Sequence, residues 1–148
     1  MPLLLLLTAS LGCGESNDSG AAAPGPGTLS ISFAIEEDLI PSMTDAPIGE
    51  FLGSIFAEDD ATSIGPNEGA QSLEDVAVTI DLSDGEALDA YTSIPLEAGV
   101  FWILGCLDVD GNDCDIDDPI TIPDENKFQV EADQQAPAEV LMSMLNPT

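Results

Sequence analysis

The segment Asp108 to Asp118, DVDGNDCDIDD, holds six aspartates in eleven positions, in a chain where 29 of 148 residues are acidic. Asp108, Asp110 and Asn112 are spaced two apart, and so are Asp113, Asp115 and Asp117; Gly111 lets the backbone between them turn sharply. Alternating oxygen ligands on a turning loop suit a hard cation, because calcium takes six to eight oxygens at about 2.3 to 2.6 Å. Asp108, Asp110, Asn112, Asp113, Asp115 and Asp117 are therefore the candidate calcium ligands. The competing reading is a solvated Asp-rich turn whose side chains cap their own backbone.

The opening DxDxN resembles the start of an EF-hand loop, but Asp113 stands where that loop needs Gly, and Pro119 where it needs the bidentate Glu. An EF-hand is excluded, which leaves a generic acidic calcium loop. No histidine occurs anywhere, so Ser-His-Asp and Cys-His catalysis and imidazole metal sites are excluded too. A carboxylate-pair hydrolase needs one raised pKa in a pocket. Nothing in the sequence singles out such a pair, and Asp18-Ser19-Gly20, the nearest approach to an aspartic-protease triplet, lies in a tether-like stretch. No catalytic residue is assigned, and the expected function is non-enzymatic.

Only one basic residue, Lys127, opposes the acids, for a formal net charge of -28. Such a field repels nucleic acid and anionic lipid, and it favours cations or basic protein surfaces. Docking to a basic partner within a surface assembly or transport system is thus the alternative function.

Residues 1–12, MPLLLLLTASLG, form an apolar run too short to span a bilayer of about 30 Å, and they read as a signal-peptide core. Ser10-Leu11-Gly12-Cys13 resembles a bacterial lipobox, although Ser10 stands where leucine is usual. The resemblance implies lipidation of Cys13 and membrane attachment through the N-terminal lipid. No Lys or Arg precedes the run, which is what a start placed too far downstream would give. Gly14 and Glu15 occupy positions where an inner-membrane retention signal would carry Asp. The implied location is the outer membrane or cell surface, with periplasmic or secreted release as the alternative. With Cys13 so used, Cys106 and Cys114 remain to form a disulfide in an oxidising compartment, or else stand as two buried thiols. Two thiols without histidine make a poor zinc site.

The elements that must position the loop read as strands. Residues 13–27 are a flexible linker rich in Gly, Pro and Ser, reaching roughly 20 Å as a random coil. From residue 28 to 148 a single folded domain is expected. Leu29, Ile31, Phe33 and Ile35 alternate with small residues, and Val76, Val78, Ile80 and Leu82 do the same, giving half-buried strands. Phe51 to Ala57 is a further strand, in which Gly53 marks a bulge or a close backbone approach. Glu58 to Ser72 reads as loop, and Ala87 to Ser93 is compatible with a short helix. Val100 to Leu107, VFWILGCL, is apolar on both faces and is placed as a central strand with Trp102 in the core. Residues 120–122, 127–132 and 139–145 supply the last strands.

About seven short strands separated by Gly, Pro and Asp turns make the fold class all-β, a single antiparallel β-sandwich. The turn at Pro95 to Gly99 entering Val100-Phe101-Trp102, with LGCLDVDGNDC, DDPITIP and KFQV after it, is similar to the end of transthyretin-like or carboxypeptidase-regulatory-like domains of bacterial surface lipoproteins. The resemblance covers about a third of the chain. It implies a small, Ig-like binding or structural module and carries no catalytic residue.

Overall fold

The computed structural model describes residues 20 and 22–147; the signal-peptide reading, the lipobox and Cys13 lie outside the described residues. Among the described residues there are ten strands and three single 3-10 turns, and no α-helix. Strands β1 (Thr28–Ile35), β2 (Ile48–Ala57), β5 (Glu74–Asp81), β6 (Glu86–Thr92), β7 (Gly99–Asp108), β8 (Pro119–Thr121) and β10 (Gln135–Leu145) run in the order β5-β2-β7-β8-β10-β1-β6. Strand β9 (Lys127–Val130) pairs with β7 beyond the end of β8. The path nearly closes on itself. Its two end strands are consecutive in the chain, and the Tyr91 hydroxyl of β6 donates to Glu74 of β5 at 2.6 Å.

The all-β expectation holds, but the sheet is mixed, because β1 and β10 run parallel from Thr28↔Gln135 to Ile35↔Met142. Alternation along a strand shows which face is buried and says nothing of direction. The register keeps the inward residues of both strands in phase: Leu29, Ile31, Phe33 and Ile35 beside Ala136, Ala138, Val140 and Met142. These close the core with Phe51, Ile55, Phe101, Ile103 and Leu107 from β2 and β7. Each fully buried side chain of this size stabilises by about 1.5 to 3 kcal/mol, and the Phe33 and Phe51 rings meet with centroids 4.7 Å apart.

Gly53 of β2 stands directly across from Gly105 of β7. A Cβ at Gly53 would lie 2.5 Å from the Phe51 ring, and one at Gly105 would lie 2.8 Å from it. The close approach expected at Gly53 is thus a phenylalanine folded over a glycine pair.

In the stretch 87–93, left open to a short helix, residues 87–92 belong to strand β6 and Ser93 follows it. The stretch 58–72 is a loop that carries a small hairpin, β3 (Ala61–Thr62) with β4 (Gly65–Pro66). It covers part of the outer face of β7, where Trp102, Phe56 and Ala61 make a second small cluster. The Trp102 indole donates to the Glu58 carbonyl at 3.0 Å. Lys127 sits 4.8 Å from the centre of the Trp102 ring and pairs with Glu58 at 2.8 Å. The chain's one basic side chain is therefore engaged within the fold.

Between β7 and β10 the ladder is thin, since β8 pairs with β7 at Cys106↔Ile120 alone. Buried polar side chains make up the deficit. Thr121 Oγ1 accepts from the Gly105 N–H at 2.9 Å and donates to the Gly105 carbonyl at 3.2 Å. Asn126, fully buried, donates to the carbonyls of Ile122 and Leu141 at 2.9 Å each and accepts from the Leu141 N–H at 2.8 Å. At the other end of the linker, Gly25 and Gly27 are already hydrogen-bonded to Asp133 and Leu96, so the fold engages the chain just before Thr28.

Candidate metal centre

Asp108 is the last residue of β7, and Pro119 the first of β8; the acidic loop is the connection between two strands of the main sheet. Cys106 and Cys114 form a disulfide, with Cα atoms 6.0 Å apart, inside the usual range for that bond. It ties the middle of the loop back to β7. Asn146, just past β10, ties the second half: its N–H donates to the Asp118 carbonyl at 2.8 Å, and its carbonyl accepts from the Asp117 N–H at 3.0 Å. Gly111, Asp113 and Asp117 all have positive φ, which aspartate tolerates better than most residues and which curls the loop inward.

One carboxylate oxygen from each of Asp108, Asp110 and Asp118 lies within 4.8 Å of the others, and these residues can hold a metal ion. Asp108 and Asp118 are buried and Asp110 is exposed. The buried pair is oriented by backbone. Asp108 accepts from the N–H groups of Gly111 at 2.7 Å, Asp113 at 3.2 Å and Asn112 at 3.3 Å. Asp118 accepts from Asp115 at 3.0 Å and Val109 at 3.2 Å. The self-capping turn and the carboxylate cluster are one structure, because the donors that satisfy the loop also aim the buried oxygens.

Of the six residues proposed from spacing, Asp108 and Asp110 belong to this triad. Asn112 directs its amide nitrogen to Asp110 at 2.8 Å and to Asp115 at 3.1 Å, and so braces the two carboxylates. Asp115 and Asp117 line an adjoining cleft of ≈ 200 Å³. Asp113 is outside both the triad and the cleft lining. Asp118 completes the triad although the period-two spacing passes over it. Thr44 and Asp45, from the β1–β2 connection, line the same cleft and could not be reached from sequence spacing.

The carboxyls respond to these surroundings in opposite ways. Burial pushes Asp108 up, but the N–H donors of Gly111, Asp113, Asn112 and Asp110 outweigh it and hold the carboxyl below its ordinary value. Partial desolvation by the folded loop pushes Asp110 up even though it is exposed; the Asn112 N–H opposes this, while the charges of Asp115, Asp118 and Asp108 add to the rise, leaving it above its ordinary value. A cation placed among these groups would relieve the repulsion that Asp110 feels.

Comparison with known proteins finds no matching family model, no matching curated protein and no matching solved structure. The functional reading rests on the chain itself.

Proposed function

We propose that this chain is an exported, lipid-anchored, non-enzymatic binding or structural module whose acidic loop holds calcium. The observation that carries the calcium reading is the convergence of Asp108, Asp110 and Asp118 at the end of β7. Asp45, Asp115, Asp117 and Thr44 on the adjoining cleft offer further oxygens toward the six to eight that calcium takes. Asp108 and Asp118 would anchor the ion from the strand side, and Asp110 would close on it from solvent. Export is supported by the Cys106–Cys114 disulfide, a bond that persists in oxidising compartments. Anchoring is supported by the lipobox-like Ser10 to Cys13 and by the Gly-rich stretch after it. The resemblance of residues 95–130 to transthyretin-like surface lipoproteins agrees with both.

The test is a thermal melt of the oxidised chain in calcium, in magnesium and in chelator. A ligand that binds only the folded state at 100 times its dissociation constant stabilises by about 2.7 kcal/mol. Calcium at about 10 mM reaches that ratio for a site at the tight end of the range for extracellular modules, about 0.1 mM. A rise of several degrees with calcium alone, lost in Asp108→Asn and Asp110→Asn, is the expected result. An equal rise with magnesium, or none, refutes the metal reading. Anchoring is tested separately: Cys13→Ser must move the expressed chain out of the membrane fraction.

A further inference from the structure

The outer face of β7 and β8 carries a second feature of a different kind. An open groove of ≈ 620 Å³ runs between the β3–β4 hairpin and the β7–β8–β10 seam, walled by Ile64, Pro66, Leu104, Ile120, Ile122 and Met144. None of its lining residues is charged, in a chain where one residue in five is acidic. Ile64, at the hairpin tip, is 94% exposed and Met144 is 40% exposed. One exposed isoleucine means little, but a contiguous uncharged apolar groove on so charged a surface marks an interaction site. Carboxylates border it along the chain: Asp113 and Asp115 flank its Cys114, and Asp124 and Glu125 follow its Pro123.

We propose that this groove docks an aliphatic segment flanked by lysine or arginine on a partner protein. Charge selects the occupant. A second copy of this chain brings another net -28 and no spare cation, since Lys127 is already committed to Glu58 and Trp102. An anionic lipid surface is repelled for the same reason. The apolar side chains of the partner fill the groove, and its basic flanks meet the acidic border, where they govern association rate and salt dependence. The proposal does not require calcium: its apolar lining is uncharged, and Asp124 and Glu125 of its border lie outside the acidic loop.

The test uses the full chain and three synthetic peptides, followed by fluorescence anisotropy. One has an aliphatic centre with lysine flanks, one the same centre with glutamate flanks, and one a serine centre with lysine flanks. The lysine-flanked aliphatic peptide binds and weakens with salt. The serine-centred peptide binds at least about tenfold more weakly, and the glutamate-flanked one does not bind. Ile64→Asp and Met144→Asp each lower affinity by about tenfold or more, whereas electrostatics alone would raise it by adding negative charge. Leu88→Asp, on exposed β6, leaves binding unchanged. Both groove positions are exposed, so a melt matching the parent shows that the fold survives. Equal binding of the serine-centred peptide, insensitivity to Ile64→Asp, or no binding at all overturns the proposal. So does concentration-dependent self-association that Ile64→Asp abolishes, because it would give the groove to a second copy.

Discussion

Replacing Asn126 tests whether buried side chains hold the sheet together where its ladder is thin. The Asn126 carboxamide makes three hydrogen bonds, to the Ile122 carbonyl and to both backbone groups of Leu141, while its own carbonyl accepts from Ile103 of β7 at 3.0 Å. One residue thus joins β7 to β10 beyond the end of β8. In Asn126→Ala the Leu141 N–H loses its partner in a fully buried site, and leaving such a group unpaired costs about 1 to 3 kcal/mol. The two carbonyls and the small void add to that, for a total of about 3 kcal/mol. For a domain of this size the loss lowers the melting midpoint by about 10 °C. Guanidinium unfolding followed by the fluorescence of Trp102, the only tryptophan, measures it against Asn67→Ala, which removes one bond at an exposed site. Asn126→Asp sharpens the test. A carboxylate would face two carbonyl oxygens, so its folded pKa must rise. Stability is then retained below the unfolded pKa and lost as pH climbs through the folded one. A loss of less than about 1 kcal/mol in Asn126→Ala would refute the reasoning, since an unpaired buried amide alone exceeds it.

Reducing the Cys106–Cys114 disulfide, which closes a loop of sequence separation 8, costs about 2.5 kcal/mol by chain entropy; a melt with and without reductant reads it, and calcium affinity should fall with it. The two pH limbs have separate sources. Hydrogen bonds from Ser54 and then Ser72 hold Asp75 below its ordinary 3.8, so its contribution is present above that pH and is lost as pH falls through the lower folded value. Ser54→Ala with Ser72→Ala should flatten that part of the acid limb in a pH series of melts. Tyr91 is raised above 10.0 by its bond to Glu74, then by burial and by the Glu74 charge, so its contribution is present below that pH and is lost as pH rises through the folded value. Tyr91→Phe should lower the neutral melting midpoint and remove the part of the alkaline dependence that this hydroxyl contributes.

What could be read without the structure were features carried by neighbours in the chain. Alternation in TLSISFAI and DVAVTIDL marked β1 and β5, because a pleated strand with one buried face must repeat every two residues. The two-faced VFWILGCL marked β7 as covered on both sides, as the core and the Trp102 cluster show. Asp108 and Asp110 were legible as a pair through local spacing. Residues 87–93 were not, because ALDAYTS has neither clean period, and its residues 87–92 are strand only by pairing with β1.

By itself, then, the sequence determined an all-β domain, the strand that ends in the acidic loop, the cysteines available to brace that loop, and a formal net charge of -28. Tertiary structure alone decided the rest. The direction of β10 beside β1 depends on how the chain crosses the sheet, which local alternation does not encode. The third carboxylate, Asp118, depends on how the loop curls under its own N–H donors, and Thr44 and Asp45 reach the cleft from a connection more than sixty residues away in the chain. The apolar groove joins the 61–66 hairpin to residues of β7, β8 and β10, and its uncharged lining emerges only when those segments meet. Each is a product of long-range contact, and a side chain's spacing along the chain carries no record of the partners that distant strands bring to it.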